Sequence, residues 1–206
     1  MKKIMFNDKY GLTQAVLEGR KTMTRRLVGN RLTEDDIKAY QQGKLKAKDI
    51  VTAHYKIGEV VAIAQRYSEL SWDSNFYNKL KSGCELLPQY ELKGWDNKMF
   101  VKAELMPHCI RITGIKVERL QDISDEDVYR EGFRKEAINN GWGNAAWHWE
   151  AMLTYMDNLG RYKDIRSDNP KEAFSFLIDK VSGNGTWESN PWMFVYEFKH
   201  FKYYKY

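Results

Sequence analysis

At 206 residues the chain is long enough for one sizeable core, and its 33 Lys and Arg against 28 Asp and Glu leave a net charge of +5. That mild excess permits an anionic partner such as nucleic acid without requiring one. The only two cysteines, Cys84 and Cys109, fall in no CxxC pattern, which argues against a disulfide framework or a zinc ribbon, and no apolar run reaches the roughly 18 residues that span a bilayer.

The first residues, Met1-Lys2-Lys3-Ile4-Met5-Phe6-Asn7-Asp8, meet polar groups too early for a signal peptide, so a soluble, cytoplasmic protein is expected. Residues 3–6 read as a strand. Leu12, Ala15, Val16 and Gly19 then follow helical spacing, and Gly19 suits the left-handed residue that ends a helix. From that cap the chain leaves, extended, through Gly19-Arg20-Lys21-Thr22-Met23-Thr24-Arg25-Arg26. Four cations and two hydroxyls in eight residues suit an anion, since Lys and Arg donate charge-assisted hydrogen bonds to phosphate. A solvated, lysine-guarded edge strand is the bland alternative. The basic excess is concentrated here: residues 1–60 hold thirteen Lys or Arg and seven Asp or Glu.

Lys21 and Thr24 carry a sharper possibility. A threonine hydroxyl is a nucleophile only when a base takes its proton, and a buried lysine with a lowered pKa is such a base. On a straight strand, positions i and i+3 face opposite ways, so a turn at 19–21 must bring the two together.

Thr33-Glu34-Asp35-Asp36 resembles a capping box opening a helix to about residue 42. Residues 51–55 and 60–65 read as strands. The segment 66–98 is irregular yet rich in rings (Trp72, Phe76, Tyr77, Tyr90, Trp95) and reads as an ordered insertion or lid. Strands are expected over 98–104 and 110–120. In the second the apolar phase slips at Gly114, the signature of a bulge. Ser124 caps a helix ending at Gly132, and Glu131 sits at its C-terminus, where the helix dipole disfavours a carboxylate; an ordinary exposed Glu is the simpler reading, and a cationic partner such as Lys21 the alternative. A helix is expected around 145–157, another from Pro170, and a final strand over 192–198. His54, His108, His148 and His200 show no metal spacing, so neither metal nor cofactor is expected. The tail from Phe198 alternates Lys with aromatic rings, a composition suited either to stacking on single-stranded nucleic acid or to a last strand with a frayed end.

Several pieces in this order resemble the ASCH domain, a PUA-like β-barrel family, and most closely its bacteriophage and prophage members. They are the opening helix with the G-x-K-x-x-x-R element of Gly19–Arg25, then Tyr55-Lys56-Ile57-Gly58-Glu59-Val60, and Met106-Pro107-His108 leading to Ile110-Arg111-Ile112-Thr113. After these come Val117-Glu118-Arg119-Leu120-Gln121-Asp122-Ile123, Glu131-Gly132, and Asn190-Pro191-Trp192. The resemblance covers the whole chain. It implies a single α+β domain over 1–206, built as a mixed, bent-sheet barrel with a few surrounding helices and with insertions at 66–98 and 134–168. It also implies a basic cleft that binds RNA or a nucleoside-like small molecule. Some ASCH proteins deacylate N4-acetylcytidine with a Lys, a Thr and a Glu; by motif position these correspond to Lys21, Thr24 and Glu131. Arg20, Thr22, Arg25 and Arg26 then become ligand-binding residues, with the arginines at the rim. Gln65 stands where phage relatives carry an acid within Arg-Glu-Thr-Trp, and is expected to hydrogen-bond a base edge. A binding module without catalysis, a phage accessory protein and a ribonuclease are the competing expectations.

Overall fold

The computed structural model describes residues 1–29, 32–44, 53–70, 76, 91–139 and 146–203, and of 136–139 and 146–150 the backbone alone. It is a mixed α+β arrangement of two sheets and a few helices.

The larger sheet has five strands in the order β1-β3-β4-β8-β2, comprising β1 (Lys2–Ile4), β2 (Met23–Leu27), β3 (Val60–Ile63), β4 (His108–Arg119) and β8 (Trp192–Lys202). β1 runs parallel to β3; the other pairs are antiparallel. The phase slip at Gly114 is the expected bulge: the β4–β8 register shifts between Ile112 and Gly114, and so Ile110, Ile112 and Val117 all reach the core. β3 is buried on both faces. Val61 and Ile63 join the main core, while Ala62 and Ala64 face a second cluster with Tyr67, Val101, Met106 and Cys109. No ladder joins β1 to β2 among the described residues, so the sheet is not closed into a hydrogen-bonded barrel there. The two edges approach each other through Arg26, which donates to the Met5 carbonyl at 2.7 Å.

Helix α1 (Leu12–Leu17) buries Leu12, Ala15 and Val16, and Gly19, at φ 77°, turns the chain away from it. The predicted capping box forms at α2 (Glu34–Gln41), where Thr33 and Asp36 bond reciprocally. A short helix, α3 (Tyr67–Leu70), follows β3. Ser124 caps α4 (Asp125–Arg130), and Asn169 with Pro170 opens α5 (Pro170–Ser182), followed by the short α6 (Thr186–Ser189).

Three expectations change. The helix predicted around 145–157 is a strand, β6 (Ala146–Met156), lying between β5 (Arg134–Asn139) and β7 (Tyr162–Ser167) in a three-stranded sheet. Ala151 and Leu153, alternating toward the main core, set its period at two. The strand predicted over 98–104 is instead two 3₁₀ turns, Lys98–Phe100 and Ala103–Leu105, the first capped by Asn97. Of the strand predicted over 51–55, residues 51 and 52 lie outside the described residues, and 53–55 are irregular. Trp72, Tyr77, Tyr90 and Cys84 also lie outside; within the proposed insertion Phe76 is buried against Tyr67, 5.6 Å between ring centroids. Among the described residues no helix is long and apolar enough to cross a membrane.

Candidate functional site

A cleft of about 650 Å³ opens where the edges of β1 and β2 come together, with α5 along one side. That volume lies within the range of small-molecule sites. Lys21, Thr24 and Glu131 all line it.

The chain folds this way locally for traceable reasons. After Gly19, the Lys21 amide donates to the carbonyl of Ala15 at 2.9 Å, and the Thr22 amide donates to that of Arg130 at 2.9 Å. These two bonds lay the exit of α1 against the end of α4, so Lys21 meets Glu131 across 110 residues of sequence. Gly132 permits the approach: its φ is 114°, and a Cβ there would sit 3.3 Å from Ala15 Cβ and 3.5 Å from Lys21 Cβ. Lys21, only 2% exposed, donates to Glu131 Oε2 and, at 3.0 Å, to the Glu131 carbonyl. Burial lowers the Lys21 pKa from its usual 10.5, and attraction to Glu131 offsets this only in part. One reason is visible: Glu131 divides its charge, because Oε1 accepts from Arg25 at 2.9 Å.

Arg25 corrects the expectation of a rim residue. Its side chain is 1% exposed and bridges three carboxylates: Glu131, Glu118 at 2.6 Å and Asp127 at 3.1 Å. Its guanidinium lies over the Phe174 ring at 5.8 Å. Lys116 joins the same cluster through Glu118 and Asp127, both at 2.9 Å, and Arg130 links Asp127 to Glu197. Burial would raise the Asp127 pKa, but Lys116 and Arg25 outweigh it and hold the carboxyl below its usual 3.8.

The other predicted residues divide. Arg26 does line the cleft mouth, 6.0 Å from the Phe6 ring centroid, and pairs with no carboxylate among the described residues. Arg20 is exposed, held by Glu18 at 2.7 Å and the Gly132 carbonyl at 2.9 Å, and is not a lining residue. Thr22 is bound through its backbone to Arg130 and Phe198 and does not line the cleft. Gln65 is buried elsewhere, on the side of the second cluster, where its amide N–H meets Met106 Sδ and its Oε1 has no partner among the described residues. The base-edge role expected of Gln65 therefore has no place in this cleft.

The sequence reading missed Phe6, Asn7, His54 and Tyr55, which also line it. Tyr55 is pushed up to about 12 by burial, so its hydroxyl stays protonated, and it contacts His54 edge-on at 4.5 Å. The only available signal was the Tyr55-Lys56-Ile57-Gly58 turn.

Thr24 is buried to 5% exposure, and its hydroxyl has no hydrogen-bond partner among the described residues. A neutral lysine amine has two N–H donors and one lone pair. The two donors match Glu131 Oε2 and the Glu131 carbonyl, which leaves the lone pair for an incoming proton. Cys109, the one cysteine described, is buried, its thiol pushed up to about 11 by desolvation, and is unsuited to nucleophilic work. His108 and His200 stack with 2.9 Å between Nδ1 and Nε2, and no group of three or more ligating side chains is placed to hold a metal among the described residues. The aromatic tail is in part structural: Phe201 and Tyr203 pack on the second cluster, with Arg111 over Phe201. No protein-family model, curated protein or solved structure matches the chain significantly.

Proposed function

We propose that the protein is an ASCH-type amidohydrolase that removes the acyl group from an N-acylated nucleobase of the N4-acylcytidine kind. The observation that carries this reading is the presence, in one cleft, of an unengaged Thr24 hydroxyl and a buried Lys21 whose proton affinity is lowered and which donates to Glu131. The sheet edges that meet at the Arg26–Met5 contact fit a PUA-like barrel with an incomplete seam.

In the proposed reaction Thr24 Oγ attacks the acyl carbon, and its proton passes to neutral Lys21 Nζ. The C–N bond then breaks as Lys21 returns that proton to the departing exocyclic nitrogen, freeing the amine and leaving an ester on Thr24. Water adds to the ester carbon and yields a proton to Lys21, which passes it to Thr24 Oγ as the C–O bond breaks and the carboxylic acid leaves. Glu131 orients Lys21 throughout. Arg26, not neutralised by a described carboxylate, is placed to receive a phosphate or ribose oxygen.

The test is hydrolysis of N4-acetylcytidine. Lys21→Ala and Thr24→Ala are each expected to lower kcat by at least about 100-fold. Undiminished turnover in Thr24→Ala would sink the covalent route. Salt-sensitive RNA binding by a wild-type protein with no turnover would instead support a nucleic-acid-binding module, a reading that Arg26 at the mouth also favours.

A further inference from the structure

The cleft has two walls of different chemistry, and β2 divides them. Thr24 and Arg26 share one face of that edge strand, and Arg26 faces Phe6 and the neighbourhood of Tyr55. Arg25 and Leu27 share the other face, where Arg25 lies over Phe174 and Leu27 stands in register with Met193. Leu177, Ile178 and Val181 of α5 continue this second wall. None of these aliphatic residues offers a hydrogen-bonding side chain, and the one charge behind them, Arg25, is already engaged by three carboxylates. At the mouth, Leu27 is 48% and Val181 40% exposed, so apolar surface lies open beside the polar centre.

An N-acyl substrate has two halves on either side of the attacked carbon. Its planar base, with donors and acceptors, suits the wall of Phe6, Tyr55 and Arg26. Its acyl half is the part that gains from the aliphatic stretch of Leu27, Leu177, Ile178 and Val181, with the Ser182 hydroxyl only at its far end on α5. An acetyl group ends in a single methyl and would leave most of that wall wet.

We propose that the α5 wall is an acyl subsite and that the preferred substrates carry a linear aliphatic acyl chain of about four to six carbons rather than acetyl. This rests on the amidohydrolase reading above, and it makes Leu177, Ile178 and Val181 specificity-determining residues.

The experiment uses N4-acetyl-, N4-butanoyl- and N4-hexanoylcytidine. Their affinities are measured by calorimetry on Thr24→Ala, and kcat/KM is measured on the wild type. Each added methylene that enters the subsite is expected to raise affinity and kcat/KM by about fourfold. Val181→Asp is expected to lower the hexanoyl-to-acetyl ratio by about tenfold or more. Val181→Thr, which keeps the volume and adds a hydroxyl, shifts the ratio the same way by less. Phe176→Asp, half exposed on α5 and not in the cleft lining, leaves the ratio unchanged and controls for general damage to the helix. A series flat with chain length, or a ratio untouched by both Val181 variants, overturns the subsite even if acetyl turnover upholds the amidohydrolase. A graded affinity series without turnover upholds the subsite and overturns the catalytic reading. Failure of all three compounds to bind overturns both.

Discussion

Glu131 holds Lys21 with one carboxylate oxygen and Arg25 with the other, so its replacement acts on both cations. Glu131→Gln removes the main force opposing desolvation of Lys21, whose proton affinity then falls further. If neutral Lys21 is the base, kcat rises with pH through the lowered Lys21 pKa, and Glu131→Gln moves that midpoint to lower pH. A pH–rate profile checks this; a midpoint that stays put or rises would exclude Lys21 as the titrating base. For stability the sign is equally definite. The unfolded chain binds the Lys21 proton more tightly, so this group's contribution grows as pH rises from the lowered value toward 10.5. Part of this was legible in the sequence: density of charge marked Arg20 to Arg26, while Glu131 was joined to it by the motif resemblance and only hinted at by its place at a helix C-terminus. The burial of Arg25 was not legible. Its acceptors, Glu118, Asp127 and Glu131, stand 93, 102 and 106 residues away, and charge in a sequence reads as surface until its partners are known.

Elements with local signals were readable: the α2 capping box, the Ser124 cap of α4, the start of α5 at Pro170 and the β4 bulge all formed as their residues indicated. β6 did not, because its Ala, Met and Leu favour helix intrinsically and only pairing with β5 and β7 makes it a strand. The 3₁₀ turns at 98–105 were missed for a related reason: Asn97 caps the first of them, and no ladder partner among the described residues extends the segment. The junction of α1 with α4 depends on Gly132 more than on any propensity. Gly132→Ala is expected to destabilise by about 1–3 kcal/mol, since φ is positive there and the methyl presses on Ala15 and Lys21. Urea denaturation measures the loss. A midpoint within error of the wild type would mean that the junction has slack and does not fix Lys21.

For the molecule as a whole, the mixed α+β composition could be read in advance, whereas the second sheet and the placement of the cleft could not. The cleft forms from residues on both outer strands of one sheet, and no local pattern says which edges will approach. Beneath it lies a cluster of charges centred on the buried Arg25, Asp127 and Glu131, and this predicts acid sensitivity. Asp127 is held below 3.8, so its contribution is complete above that value and is lost as pH falls through its lower folded-state pKa. Thermal melts between pH 7 and 3 should show Tm falling steeply below about pH 4, and Asp127→Asn should flatten part of that slope. A Tm that holds steady to pH 3 would contradict the arrangement. The same cluster ranks the residues by how easily a lineage could lose them. Thr24 and Lys21 can each be replaced without orphaning a carboxylate, because Glu131 keeps Arg25. Arg25 is harder to lose, since three acids share it and would be left with Lys21, Lys116 and Arg130 alone. A descendant that had given up chemistry would be expected to shed the threonine and the lysine first and to keep the arginine as the fossil of the site.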